Sequence, residues 1–495
     1  MRSDVPNDQS ELVLNVRGGA RLSVPLDLSQ ITPYVLLEQE DWFEDEIRFV
    51  RRWLRPGMQA VDVGASFGVY AVSMARAVGR SGRLWAFEPT PTTADFLRRN
   101  LELNGCAQAT VEQTAISDAE GPVPFASGVY SEWNAIAAAG AAADDAIQVN
   151  AVTLDRVAAS AGWGKVDFVK LDVEGHELEA IHGGADFLAE NSPLLMFEIK
   201  LEKRFDLRAL APLSEKGYQF FRLLPGPLML TPFDALEPID SFQLNLFACK
   251  DDRAWLLAAD GFLADPQTFD ITTPSNHAWI EYARSAPYAR DLAGRWTNKA
   301  GFFSCADRFI YLEGLAAFAH SRDSNRQPSE RVAWLGHAFQ CVAEAIAAAD
   351  TLSRRISYAR LAWELGQRTT AVDALDAAVG RVSNEADTAL QEPFLAPSPR
   401  YEQLSAGADS EDWLRCAVIE QYEKLRSFSS IFAQGTSLEV VEPIRGLGYC
   451  SAEIERRRQL VRLAHGMQEA PEPEARLCVR SEENLNSQFW CSQRA

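Results

Sequence analysis

A chain of 495 residues with 47% hydrophobic side chains is too long for one ordinary core and too apolar to stay disordered. Its 69 acidic against 48 basic residues, a net charge of -21, exclude phosphate-backbone tracking as the main activity, since no long Lys/Arg block offsets the excess. Cys106, Cys249, Cys305, Cys341, Cys416, Cys450, Cys478 and Cys491 are scattered without a C-x-x-C pair and read as buried thiols. No secretory pattern or long apolar run is visible, so the expectation is a cytoplasmic protein without a membrane span.

In chain order, residues 1–57 carry a short strand pattern, ELVLNVRGGARLSVPL, and a helix over 41–54, together an N-terminal cap. Residues 58–250 alternate β-rich runs with helical patterns, which predicts an α/β domain with a parallel sheet. The runs are QAVDVG (59–64), RLWAFE (83–88), ATVEQTAI (109–116), VDFVKLDV (166–173) and PLLMFEI (193–199), with helices around 68–79, 91–104, 176–190 and 204–217. Two last runs, 218–224 and 242–249, read as a closing antiparallel hairpin. The small, weakly polar residues 135–146 read as a mobile loop or an Ala-rich helix. Beyond 250 the strand signal stops. A connecting region (251–329), a helical domain (330–470) and a tail (471–495) follow. Within the helical domain, 365–379 resembles the second half of a tetratricopeptide unit, with Gly366 at the turn and Ala371, Leu375 and Ala378 facing a neighbour. The segment QEPFLAPSPR (391–400) reads as a linker, and RRRQLVR (456–462) as a solvated basic face. Trp279, Trp296, Trp334 and Trp363 fit helix packing.

The strongest chemical signal is VDVGASFGVYAV (61–72), a strand ending at Asp62 that turns through Gly64, Ala65, Ser66, Phe67 and Gly68 into a helix. Glycines there let a ligand approach the backbone and the N–H groups of the helix start. Glu88, closing the next strand, can accept both ribose hydroxyls of a nucleoside. Asp62 would repel a pyrophosphate but attract the sulfonium and amino groups of S-adenosylmethionine, which favours that cofactor over a dinucleotide. A second signal, VDFVKLDVEGHELEAIHGG (166–184), gathers Lys170, Asp172, Glu174, His176 and Glu177 at a strand end, where open α/β sheets bind ligands. Lys170 is expected to pair with Asp172 or Glu198, and His182 to be a surface or satisfied histidine.

These motifs, with AFEP, NLELNG (100–105), AISDAEG (115–121), VTLDRV (152–157) and PLLMFEIK (193–200), occur in an order and spacing similar to the FkbM-type methyltransferases. The resemblance covers about residues 40–250. It implies a seven-stranded class I methyltransferase sheet, Rossmann-like, with S-adenosylmethionine over the first two strands, and O-methylation of a sugar, glycan or other small hydroxylated acceptor. On this resemblance Asp62, Gly64, Ala65 and Gly68 line the methionine part of the cofactor, Glu88 takes the ribose, and Ser117 and Asp118 lie near the adenine. The loop at 126–145 shows no acceptor pattern.

For catalysis His176 is the expected base, its ordinary pKa suiting proton acceptance near neutrality, with Asp172 and Glu174 orienting the acceptor. The alternative for His176 is a helix-start imidazole bonded to Glu174 or the backbone. Asp172 and Glu174 could also hold Mg²⁺ as hard oxygen ligands, but no further carboxylate motif completes an octahedron, so the metal is not the favoured reading. A nucleic-acid acceptor would call for a basic face or an N-P-P-Y-like tetrapeptide, and neither occurs. A different class of reading makes the helical domain a scaffold that binds a protein partner or self-associates, on a degenerate methyltransferase fold. The intact Asp62, Gly64, Glu88 and DVEGHE run speak against it.

Overall fold

The computed structural model describes residues 11–126, 135–136, 147–200, 205–269, 271, 276–297, 306–433 and 436–467. The expected tail over 471–495 lies outside these residues, as do 137–146 of the small-residue loop. The chain divides into two compact units, one from Met1–Arg222, Leu244–Leu256 and Arg462–Ala495, the other from Leu223–Gln243 and Leu257–Val461.

The first unit opens with β1 (Glu11–Val16) and β2 (Ala20–Pro25), paired antiparallel from Glu11↔Pro25 to Val16↔Ala20. Gly18 and Gly19, at φ 84° and 75°, supply the two left-handed residues of the turn, so the N-terminal strand pattern is a hairpin. A helix Ile31–Gln39, not expected from the sequence, precedes the expected one at Asp45–Trp53.

The main sheet starts with β3 (Gln59–Val63), β4 (Arg83–Phe87) and β5 (Ala109–Glu112). The expected third strand stops early: Ala115–Ile116 leaves the main sheet and becomes β6 of a second sheet. There it joins β7 (Gly121–Ala126), β8 (Ala135–Ile136) and β9 (Ile147–Val152) in the order β6-β9-β7-β8. The main sheet continues with β10 (Phe168–Leu171), β11 (Leu194–Glu198), β12 (Gln219–Leu224), β13 (Met229–Pro232) and β14 (Asn245–Cys249). Its order is β13-β12-β14-β11-β10-β3-β4-β5, eight strands where seven were expected. The sheet is mixed: β3, β4, β5, β10 and β11 run parallel, while β14 is antiparallel to both β11 and β12. The two closing runs do pair, but β13 lies between them in the chain, so they are not a simple hairpin.

Burial on both faces explains why β10 and β11 read as nearly unbroken apolar runs. From β3 the strand order steps outward through β4 and β5, and from β10 it steps the other way through β11. The β3–β10 boundary is therefore the topological switch point, and the crevice beyond its carboxyl ends is the natural ligand site. Helix Val69–Val78 follows β3 and Pro91–Leu103 follows β4. The predicted helix over 176–190 is broken into Glu177–His182 and Ala185–Glu190 at Gly183–Gly184. A Cβ on Gly183 would fall 1.9 Å from the Ser117 carbonyl oxygen, so glycine permits that close approach.

The second unit is helical beyond β13 and holds one large core. Its helices include Pro287–Thr297, Ala306–Ser321, Pro328–Ala348, Leu352–Glu364, Arg368–Ala389 and Ser410–Arg426. The tetratricopeptide-like turn has Gly366 at φ 75°, with Ala371, Leu375 and Ala378 buried. Trp279, Trp296 and Trp334 are buried in the same core, and Trp363 packs against it.

Two sequence readings fail here. Residues 391–400 are not a linker: Phe394, Leu395 and Ala396 are fully buried, and the Tyr311 and Tyr288 hydroxyls donate to the Pro393 and Phe394 carbonyls at 2.8 Å. Prolines interrupt the helix there without removing the apolar side chains that the core needs. Nor is the basic stretch solvated. Arg457 and Arg458 are each 1% exposed, because Glu423 and Glu455 receive their guanidinium groups. Among the described residues no helix is long and apolar enough to cross a membrane. Cys106, Cys249, Cys341, Cys416 and Cys450 are buried free thiols.

Candidate functional site

The site begins where β3 ends. Gly64 takes φ 79°, and a Cβ there would lie 1.7 Å from the Asp172 carbonyl oxygen at the end of β10. Only glycine lets the two strand ends converge. The N–H groups of Gly64 and Ala65 donate to the Phe87 carbonyl at 3.0 and 2.9 Å, which ties the loop to the end of β4. Gly68, at φ 91°, caps helix Val69–Val78, and a Cβ on it would press on Leu97 at 2.7 Å. Phe67 packs edge-on against Phe96, and its carbonyl accepts from the Asn100 amide at 2.9 Å.

Within this cradle Asp62 is fully buried, and neither carboxylate oxygen has a hydrogen-bond partner among the described residues. Burial pushes its pKa up to about 6, against the pull of the Lys170 ammonium on the adjacent strand. The Ser66 hydroxyl is likewise buried without a partner. Its residue adopts φ 48°, an uncommon conformation for a side-chain-bearing residue, and its N–H donates to Glu88 at 3.0 Å. The other Glu88 oxygen accepts from the Thr90 N–H at 2.9 Å. Each oxygen thus has one backbone donor and retains acceptor capacity. Burial raises the Glu88 carboxyl to about 7, while the Thr90 and Ser66 N–H groups restrain the rise.

An orphaned buried carboxylate, a glycine cradle and a second carboxylate with free lone pairs together fit a cofactor that brings a cation to Asp62 and hydroxyl donors to Glu88. S-adenosylmethionine has both.

Beyond β10 the charged residues form a layered network. Lys170, 3% exposed, donates to Asp172 at 2.7 Å and lies over the Tyr70 ring. Although burial disfavours its charge, Asp172, Asp62 and Glu44 hold its pKa above the ordinary lysine value. The Tyr70 hydroxyl donates to Glu44 at 2.6 Å. Glu174, at φ 57°, pairs with Lys200, and burial followed by the Asp172 charge raises its carboxyl to about 7. Among the described residues one buried Glu198 oxygen has no partner, and burial with Asp172 and Glu174 lifts its pKa well above the carboxylate range. Glu177 instead accepts from the Val173 and Gly175 N–H groups, fixing the turn before its helix.

Oxygens of Asp172, Glu174 and Glu198 lie within 4.8 Å of one another, a spacing compatible with a divalent cation. Lys170 and Lys200 already supply positive charge to two of the three. Next to them opens a cleft of about 280 Å³ lined by Gly175, Glu177, Glu198, Lys200, Asp206 and Arg208, among others.

His176 stands elsewhere. Its Nε2 is 2.9 Å from the Ser117 hydroxyl, which also contacts Asp118, and its Nδ1 is 3.5 Å from Glu179. Burial lowers its pKa. The structure therefore groups His176 with Ser117 and Asp118, and groups Asp172 and Glu174 with Glu198 and Lys200. Lys170 pairs with Asp172 as one sequence reading had it, and His182 is exposed. Glu198, Lys200, Glu44 and Tyr70 were not singled out as site residues. The PLLMFEIK run ending a central strand was the one available signal for Glu198 and Lys200; Glu44 and Tyr70 arrive from distant helices.

A buried carboxylate and a glycine turn thus lie at the switch point of an α/β sheet, with an acidic residue closing the next strand. Residues 62–220 match the family model described as Methyltransferase FkbM domain. No curated protein matches the chain. Among solved structures, the chain is similar to the methyltransferase FkbM of Methylobacillus flagellatus KT at 20% identity. That match covers 45% of this chain and 55% of the other, with a TM-score of 0.27. It thus spans little more than half the length of that relative. An O-methyltransferase from Bacillus cereus in complex with SAH is 13% identical over 46% of this chain and 93% of its own, with a TM-score of 0.27. A SAM-dependent O-methyltransferase from Thermotoga maritima is 14% identical over 49% and 92%, with a TM-score of 0.25.

Proposed function

We propose that the first unit is an S-adenosylmethionine-dependent methyltransferase that methylates a hydroxyl of a sugar, glycan or other small polar acceptor. The observation that carries this reading is Asp62, wholly buried beside the Gly64 turn with both oxygens unpartnered among the described residues. Asp62 receives the cofactor's amino group, Gly64, Ala65 and Gly68 border its methionine part, Ser66 and Phe67 complete the turn, and Glu88 takes the ribose hydroxyls. Ser117 and Asp118 border the adenine, with His176 holding the Ser117 hydroxyl. When bound, the cofactor supplies a methyl group already activated on a sulfonium.

The protein's own contribution is alignment, which can be worth about 7–11 kcal/mol, and removal of the acceptor proton. The acceptor enters the mixed-charge cleft, where Lys200 and Arg208 donate to its oxygens and Asp206 accepts from its hydroxyls. Proton acceptance falls to the Glu174–Glu198 pair. Two carboxylates this close share a proton, and Glu174, raised to about 7, is matched to a hydroxyl acceptor near neutrality. Asp172, held by Lys170, orients the acceptor. No Mg²⁺ is assigned, because the two lysines do the neutralising.

Calorimetry of the full chain with S-adenosylmethionine tests the cofactor reading: binding that weakens in Glu88→Ala is expected, and no binding by the wild type refutes it. Mass spectrometry of cell extracts incubated with labelled cofactor then identifies the acceptor by its added methyl group.

A further inference from the structure

The helical unit contains a convergence of side chains that the methyltransferase reading does not use. His337 and Cys341 lie four residues apart in helix Pro328–Ala348, hence on one face of it. Glu313 faces them from helix Ala306–Ser321. The helices can approach here because residue 314 is glycine: a Cβ on Gly314 would lie 2.9 Å from Val342 and 3.1 Å from the Cys341 Cβ. As a result Glu313 Oε1 is 3.0 Å from His337 Nε2, and Cys341 Sγ is 3.5 Å from the same nitrogen. One atom from each of the three residues lies within 4.8 Å of both others.

The way these atoms converge separates two chemistries. In a nucleophile–histidine–acid relay the thiol and the carboxylate address opposite ring nitrogens, so that a proton taken at one is balanced by a bond at the other. Here both address Nε2, which cannot serve both in that way. Three donors directed at one another instead outline the edges of a coordination polyhedron. For tetrahedral zinc, with bonds of about 2.0–2.1 Å to nitrogen, 2.0–2.2 Å to oxygen and 2.3 Å to sulfur, the nitrogen–oxygen edge is about 3.3 Å and the nitrogen–sulfur edge about 3.5 Å. The observed 3.0 and 3.5 Å are within a few tenths of an ångström of these two edges, and the third, from Glu313 to Cys341, is within 4.8 Å.

We propose that Glu313, His337 and Cys341 form a zinc-binding site that clamps the two helices together. Thiolate and imidazole ligands select a borderline transition metal such as zinc over Mg²⁺ or Ca²⁺. Binding replaces the thiol proton, which passes to bulk water, while His337 coordinates as neutral imidazole through Nε2 and Glu313 as carboxylate. One thiolate and one carboxylate then cancel the ion's charge, which suits a site where Cys341 is buried. Glu313 and His337 are partly exposed, and water completes the fourth position. The missing C-x-x-C pair explains why no zinc site was expected from the sequence: a single i,i+4 His/Cys pair gains its third ligand only from another helix.

The test uses the full chain stripped of metal and titrated with Zn²⁺ and with Co²⁺. One equivalent bound per chain, with thiolate-to-cobalt charge-transfer absorption, is expected. Cys341→Ser and His337→Ala should each weaken binding by more than the roughly 10–100-fold that loss of an outer-shell partner costs. Cys416→Ser, which removes a buried thiol elsewhere, should leave binding unchanged. Glu313→Gln keeps the side-chain shape and should weaken zinc while preserving the thiolate–cobalt absorption. Should the cysteine or histidine variant fail to fold, X-ray absorption of the zinc-loaded wild type decides, with one sulfur and one imidazole in the coordination sphere expected. No zinc bound by the wild type, unchanged binding in a folded Cys341→Ser chain, or a sulfur-free sphere overturns the proposal.

Discussion

Buried charge is handled in opposite ways at Asp62 and in the helical core around Arg360. In the helical unit Arg360, 1% exposed, gives one nitrogen to Glu364 at 2.6 Å and another to Glu402 at 2.7 Å. Arg354 pairs with Glu392, and Arg457 with Glu423. In the first unit, among the described residues, neither Asp62 oxygen has a hydrogen-bond partner, and the two Glu88 oxygens accept from the N–H groups of Ser66 and Thr90. A paired buried ion is complete in itself and acts as structure. An unpaired one costs stability and is retained where a ligand completes it. Buried acidic residues are therefore informative about function only after their partners are known.

The contrast can be broken by experiment, most forcefully in the helical unit. Arg360→Met removes the cation that Glu364, 0% exposed, shares with Glu402, leaving Arg322 with Glu364, and should cost about 3–5 kcal/mol in denaturant unfolding of the full chain. A loss below about 1 kcal/mol would mean that the pairing is incidental. The matched change at the other site, Asp62→Asn, should do the reverse. Removing an orphaned charge should leave ligand-free stability at pH 8 unchanged or higher, while calorimetry shows S-adenosylmethionine binding weakened by about 10–100-fold.

Protonation sharpens the same point. Because Asp62 and Glu88 have folded-state values of about 6 and 7, above those of the unfolded chain, the folded state binds more protons between about pH 4 and 7. These two groups therefore lower ligand-free stability as pH rises through that window. Binding of a cationic cofactor needs Asp62 ionised and runs the other way, tightening about tenfold from pH 5 to pH 8. Cofactor affinity that is flat over this range would mean that Asp62 does not meet the cation. The smallest effect is expected at His176. With its Nε2 held by Ser117, His176→Ala should weaken cofactor binding only severalfold, about 1 kcal/mol for one hydrogen bond, and leave the pH profile of turnover in place. Glu198→Gln, by contrast, should shift that profile, because it removes one member of the carboxylate pair.

Much of the first unit was legible in the chain. Strands buried on both faces declare themselves as apolar runs, and a turn that must take positive φ declares itself as glycine, which is why β3, Gly64, Gly68 and Glu88 could be read in order. The second sheet was not legible, because β6 and β8 are two residues each and too short for any period to show. The break at Gly183–Gly184 resembled an ordinary helix interior until Ser117 was seen packed against it. The helical unit misled more, since Arg457 and Arg458 have the local pattern of a solvated face and segment 391–400 that of a linker.

The amino-acid sequence by itself determined the alternation of elements, the glycine turn after β3 and the acidic strand ends, because each depends on backbone conformation or on neighbours a few residues away. Only the tertiary structure decided which charges are paired. It left Asp62 without a partner, joined Glu198 to Glu174 and turned His176 toward Ser117. It also gathered Glu313, His337 and Cys341 around one point. Those outcomes depend on side chains 24 to 59 positions apart meeting in space, and no local pattern encodes such distances.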